Sequence, residues 1–250
     1  MNPEQMNPEQ ISAPSSGRQP LSFVRRSGRM SEGQERAWEQ LSTLYRIEVE
    51  RGEGTTSVAE TARIEPAHVW GRTAPLIAEI GSGQGHAIVH AATEHPETNF
   101  LAIDVFRAGL ARTMLGAESA GAEHLRVVEA NAPEVLAHLL PPQSLDEVWV
   151  FFPDPWHKHR HNKRRLVTDE FANRVAGSLR AGGVLRLATD WEAYARQMRT
   201  VLDGSAHFER DFDGEWAPRY PGRVLTAFEN KGQRAGRQIR DLSYRRTVFG

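Results

Sequence analysis

The chain has 250 residues, 39% of them hydrophobic, no cysteine and a formal net charge of -1. That length builds one substantial core or two small ones, and the absence of cysteine excludes disulfides and thiolate zinc sites. No apolar run approaches the roughly 20 residues of a membrane span and the N-terminus lacks the apolar core of a signal peptide, so a soluble, cytoplasmic protein is expected.

Residues 1–10 are MNPEQ written twice, followed by ISAPSSGRQP. Repeated prolines and few apolar side chains predict a disordered tail over 1–21. The run SFVRRSGRM (22–30) places Arg25, Arg26 and Arg29 beside Phe23 and Val24, and reads either as a solvated basic linker or as a phosphate-contacting arm. After Ser31, which suits an N-cap, GQERAWEQLSTLYRIEV brings Trp38, Leu41 and Tyr45 near one helical face. This is a docking helix, and 22–73 is read as an N-terminal arm ahead of a main domain over 74–250.

From Ala74 strands and helices alternate. LIAEIG (76–81), NFLAIDV (99–105), LRVVEANA (125–132), DEVWVFF (146–152) and GVLRLATD (183–190) read as strands. Helical segments separate them: 86–95, 107–122, 133–140 with Pro133 at its first position, and 166–180; another follows over 191–202. Apolar strands joined by helical crossovers predict a doubly wound α/β fold whose parallel sheet is covered on both faces. Ligands of such sheets bind beyond the C-terminal strand ends.

EIGSGQGH (79–86) puts Gly81, Gly83 and Gly85 at the first strand-to-helix turn, where glycine permits positive φ and close approach of a ligand. Asp104 ends the second strand, 19 residues after Gly85, where a carboxylate accepts the hydroxyls of a ribose. NAD and S-adenosylmethionine both fit that crevice. The turn is G-x-G-x-G and is preceded by Glu79; a carboxylate repels a pyrophosphate but suits a sulfonium and an ammonium, which favours S-adenosylmethionine. Asn131, ending the third strand, either pairs with an adenine edge or forms an Asx turn before Pro133.

The fourth strand ends in Pro153-Asp154-Pro155-Trp156. Flanking prolines preset the direction of Asp154, at the edge of the crevice where a methyl acceptor would lie. Lys158, Arg160, Lys163, Arg164 and Arg165 follow, with His157, His159 and His161 between them, and phosphates are the natural partner. The alternating histidines do not read as a metal site, because neighbouring cations disfavour a divalent ion. On the residues alone, a base-amino methyltransferase, a nicotinamide oxidoreductase and a non-catalytic RNA-binding module are all open readings.

PDPWHKHRHNKRRL resembles the signature of bacterial tRNA (guanine-N7-)-methyltransferases. SFVRRSGRMSEGQERA is similar to that family's N-terminal arm, EIGSGQGH to its cofactor loop, ATDW (188–191) to the motif after its fifth strand, and TAFENKGQRAGRQIRDL (226–242) to its C-terminal substrate segment. The resemblance implies a Rossmann-like class I methyltransferase fold with seven mostly parallel strands. It implies methyl transfer from S-adenosylmethionine to N7 of a variable-loop guanine in tRNA, by a monomer or homodimer with no membrane or protein partner. Glu79, Gly81, Gly83, Gly85, Asp104 and Asn131 are then expected to bind the cofactor, with Asp154 catalytic and adjacent to it. Lys158, Asp190, Thr226, Ala227, Phe228 and Glu229 are expected to bind the substrate. RNA contacts are expected from Arg25, Arg26, His159, Arg160, His161, Asn162, Lys163, Arg164 and Arg165. Asn131 stands where the family commonly has aspartate, Asp104 where glutamate is usual, and Ala227 where lysine is frequent.

Overall fold

A computed structural model describes residues 30–225, 229 and 236–248. The expected tail, Arg25, Arg26, Thr226, Ala227 and Phe228 lie outside the described residues.

The docking helix α1 (Glu32–Tyr45) begins with a reciprocal capping box in which Ser31 accepts from the Gln34 N–H while the Gln34 side chain accepts from the Ser31 N–H. Its face carries Trp38 and Tyr45 into the core, with Leu41 packed beside them. The helix stops at Tyr45, short of the apolar Ile47 and Val49, because the chain turns extended and joins the sheet edge. Arg46 bridges Val127, and the Ile47 N–H donates to the Val127 carbonyl at 2.9 Å. A short helix α2 (Pro66–Trp70) then leads into the sheet, with proline in its first turn.

Strands β1 (Leu76–Ile80), β2 (Asn99–Asp104), β3 (Leu125–Glu129), β4 (Leu145–Phe151) and β5 (Leu179–Thr189) are parallel, and β6 (Phe208–Arg210) and β7 (Arg240–Arg246) add an antiparallel edge. The seven-stranded order is β3-β2-β1-β4-β5-β7-β6. The crossovers use α3 (His86–Glu94), α4 (Arg107–Ser119), the short α5 (Ala132–Glu134) continued by a π-helical turn over Val135–Leu139, and α6 (Asp169–Ser178). α7 (Glu192–Asp203) follows β5. One face of the sheet is packed by α1, α3 and α4 through Trp38, Ile88, Leu110 and Met114, and the other by α6 and α7 through Phe171, Val175, Tyr194 and Met198. Two covered faces explain why β1 to β5 are apolar runs rather than alternating ones.

β5 begins at Leu179, not at Gly183, because Leu179 pairs with Leu145 before a register shift. Gly183 fits there since a Cβ would lie 3.0 Å from the Asp146 carbonyl. Conversely α6 begins three residues later than expected, where the Thr168 hydroxyl caps the Phe171 N–H at 3.2 Å.

The direction of winding reverses between β1 and β4, neighbours in which Ile80 is level with Val150. The C-terminal ends of these two strands therefore open one crevice.

Candidate active site

The cofactor half is built by the glycine turn after β1. Gly81, Gly83 and Gly85 have φ of 73°, 58° and 76°. The Gly81 N–H donates to the Ile103 carbonyl at 2.8 Å, and the Gly83 N–H to Asp104 Oδ2 at 2.7 Å. Asp104 also accepts from the Phe106 N–H at 2.9 Å, so this carboxylate holds the loop and the start of α4 in register. The glycines serve two purposes. A Cβ on Gly85 would lie 2.5 Å from the Thr113 hydroxyl, and one on Gly109 of α4 would lie 2.2 Å from the Gly83 carbonyl, so both permit close packing. A Cβ on Gly81 would meet nothing within 4 Å and one on Gly83 only the Gly81 carbonyl at 4.0 Å, which leaves a cradle open to a ligand.

Glu79 lies beneath this cradle, only 4% exposed, with Oε2 buried and unpartnered. Burial pushes its carboxyl up to about 8; the Ile88 N–H partly offsets this and Asp104 adds to it. The buried Ser82 hydroxyl is also without a partner. Buried polar atoms without partners in and just before an open glycine turn fit a polar ligand that supplies them, as the ammonium of S-adenosylmethionine does. Asn131 sits at the end of β3, where its Nδ2 donates to Glu134 Oε1 at 2.8 Å and its N–H to the Thr56 carbonyl at 2.7 Å. The second acceptor oxygen of Glu134 binds the Val58 N–H, which ties this corner to the segment after α1.

The substrate half is built by the loop after β4. Asp154 is half-buried between two residues in the left-handed region, Phe152 at φ 53° and Trp156 at φ 46°. Such conformations cost about 1–3 kcal/mol each and persist where surrounding contacts over-determine them. Those contacts are visible. The Phe152 N–H donates to the Ala188 carbonyl at 2.8 Å, and the Arg223 guanidinium stacks 5.3 Å from the Phe152 ring. Trp156 carries the Arg164 guanidinium 4.9 Å from its ring centroid and meets His161 edge-on. The His157 ring packs edge-on against Trp191 at 4.3 Å, joining this loop to the one after β5 that carries Asp190.

Lys158, His159, Arg160, Lys163 and Arg164 are exposed on or beside a 3-10 turn spanning His159–Arg164, and His161 and Asn162 are half-buried in it. Burial, with Arg160, Arg164 and Lys158 nearby, holds the His161 pKa below the usual imidazole range, so this ring contributes hydrogen bonding rather than charge at neutral pH.

Two residues expected to contact the substrate or RNA are buried against partners within the protein. Arg165, read as an RNA contact, is 5% exposed: its Nε donates to the Pro155 carbonyl at 2.9 Å and its Nη1 to Gln197 at 2.7 Å, while the guanidinium covers the Tyr194 ring. It is a clip holding the Pro153–Trp156 loop onto α7. Its place as the last cation before the apolar Leu166 and Val167 is the signal that separates it from the others. Glu229, read as an acceptor for the substrate base, is buried against Arg219 at 3.2 Å and against Arg223. Arg223, with a fully buried side chain, also grips Asp241 of β7 through two bonds of 2.8 and 3.0 Å. Arg219, Arg223 and Asp241 were not legible as site residues, since no local pattern distinguishes them from surface charge.

Residues 73–242 match a family described as "Putative methyltransferase". The tRNA (guanine-N(7)-)-methyltransferase of Arthrobacter sp. (strain FB24) is 44% identical, over 92% of this chain and 87% of the relative. That of Cutibacterium acnes is 46% identical, over 90% of this chain and 83% of its own.

The chain belongs to the tRNA (guanine-N(7)-)-methyltransferase family.

Among solved structures, the 16S rRNA (adenine(1408)-N(1))-methyltransferase of Catenulisporales acidiphilia, with cosubstrate SAM, aligns at TM-score 0.53 and 16% identity over 74% of this chain and 92% of that one. The 16S rRNA methyltransferase KamB aligns at TM-score 0.52 and 14% identity over 92% and 99%. These distant likenesses bear on the fold alone. The seven-stranded sheet and both covered faces agree with the expectation from sequence.

Proposed function

We propose that this chain transfers a methyl group from S-adenosylmethionine to N7 of a guanine in tRNA, with Asp154 as the catalytic carboxylate. The observation that supports the reading is that Asp154 follows β4, whose paired neighbour β1 ends in the open glycine turn, and stands immediately ahead of the exposed cations.

S-adenosylmethionine, when bound, supplies a methyl group on a sulfonium, and the N7–methyl bond forms as the sulfur–methyl bond breaks with its electron pair going to sulfur. Guanine N7 is an in-plane lone pair bearing no proton, so the chain's residues have alignment and charge compensation to provide rather than deprotonation. Glu79 and Asp104, with the backbone of Gly81 and Gly83, bind the cofactor. Asp154 orients the guanine and stabilises the positive charge that develops on it. Asp190 accepts hydrogen bonds from the Watson–Crick edge of the base. Lys158, Arg160, Lys163 and Arg164 hold the phosphates that deliver the base, and His159 and Asn162 flank them. Glu229 acts through Arg223, which stacks on Phe152 and supports the Asp154 loop. Among the described residues no helix is long and apolar enough to cross a membrane, and the proposed place of action is the cytoplasm with tRNA as partner.

The test is incubation with labelled S-adenosylmethionine and unmodified tRNA, followed by chemical mapping of the methylated base. Label at N7 of guanine is expected; label on an exocyclic amine identifies a base-amino methyltransferase instead.

A further inference from the structure

A groove of about 730 Å3 runs between the start of α7 and the chain entering β7, with Asp190, Glu192, Arg237 and Arg240 on its walls. Asp190 is the residue assigned above to the edge of the substrate base. One oxygen of that carboxylate is taken within the protein: the Arg237 Nε–H donates to Asp190 Oδ2 at 2.6 Å. Arg240 pairs instead with Glu192 at 2.7 Å, so the two arginines of this strand entry have separate acids.

A guanidinium and the Watson–Crick edge of guanine are chemically alike where a carboxylate meets them. Each presents coplanar N–H groups on a conjugated carbon, and each is bound by a carboxylate in the plane of those donors. The arginine has the stronger charge, but it stands on a partly exposed side chain, 40% accessible against 23% for Asp190. An ion pair this open contributes weakly, so it is displaceable.

We propose that Arg237 is a built-in competitor of the substrate base: its guanidinium occupies Asp190 in the absence of tRNA and must leave before guanine is bound. The proposal rests on the assignment of Asp190 to the base edge. It makes Arg237 a specificity-setting residue, because a base without adjacent N–H donors cannot replace what the arginine gives up. A weak pair leaves a minority of molecules competent, and the apparent affinity falls by that fraction. An exposed pair accounts for a factor of up to about 5.

The experiment is a double-variant cycle on the full chain with unmodified tRNA at fixed salt, reading KM and kcat separately for wild type, Arg237→Ala, Asp190→Asn and the double variant. Arg237→Ala also removes a cation near the RNA, but that loss is common to both backgrounds and cancels in the cycle. The expected result is a KM ratio for Arg237→Ala, variant over parent, that is about 2- to 5-fold lower in the wild-type background than in the Asp190→Asn background. In Arg237→Ala, guanidinium well below denaturing concentration is expected to raise KM more than sodium at equal ionic strength, and to lose that advantage in the double variant. Equal effects of Arg237→Ala in the two backgrounds, with Asp190→Asn still raising KM, overturn the competitor while leaving the base assignment standing. An Asp190→Asn variant that folds, binds S-adenosylmethionine and keeps its KM sinks the base assignment itself, and the competitor with it.

Discussion

The two halves of the crevice are held together by different forces. Around β1 and β2 the parts are backbone hydrogen bonds, glycine-to-backbone approaches and one desolvated acid, Glu79, with an unpartnered oxygen. Around β4, β5 and β7 the parts are guanidiniums: Arg165 on the loop carbonyl, Arg223 between Glu229 and Asp241, Arg237 on Asp190. The first half has an unmet demand for a cation, which suits a small ligand bound in a preformed cradle. The second half pairs Arg223 and Arg237 with its own acids and leaves Lys158, Arg160, Lys163 and Arg164 exposed, which suits a polyanion met by those rim cations.

Removing the keystone of the charged half should produce the largest effect. Arg223→Leu leaves the carboxylates of Glu229 and Asp241 buried without their shared cation, and breaking such a pair costs about 3–5 kcal/mol. A large drop in melting temperature is expected; a drop as small as that of a surface arginine variant would show that the network does not hold the fold. Asp154→Ala should reduce turnover by about 100-fold or more, with tRNA affinity nearly unchanged, since charge compensation is needed chiefly in the transition state. Equal losses in binding and turnover would remove Asp154 from that role.

Glu79→Gln breaks the comparison from the other side. The folded pKa of Glu79, about 8, lies above the usual carboxylate value of 4.5, so wild type loses stability as pH rises from about 4.5 to 8 and Glu79→Gln does not. Melting curves without cofactor should show the variant gaining on wild type across that window by up to a few kcal/mol, while its affinity for S-adenosylmethionine is lower at every pH. A constant difference in stability would mean that Glu79 is not buried as an acid. The smallest effect belongs to the rim cations. Lys163→Ala should weaken tRNA binding modestly and lower the slope of log affinity against log salt by about 0.7–0.9, whereas Arg165→Ala should leave the slope unchanged and lower stability.

Much of this molecule was legible in residue order. Strands β1 to β4 and the glycine turn appear as apolar runs broken by glycine, because local periodicity and permitted φ are carried by adjacent residues. The boundaries of β5 and α6 were misplaced where pairing with Leu145 and the Thr168 cap outweighed helical pattern.

Arg165 and Glu229 mark where reading stopped. Each sits among residues with matching surface character, and charge alone does not say which member of a cation run turns inward or which acid finds a buried arginine. Sequence by itself determined the doubly wound sheet and the glycine turn at Gly81 and Gly83, both of which depend on neighbours in the chain. Only the tertiary structure decided that Glu79 is an unpartnered acid and that Asp190 is already occupied by Arg237, residues 47 positions apart. Burial and ion pairing depend on what packs across the crevice, and distant strands supply it.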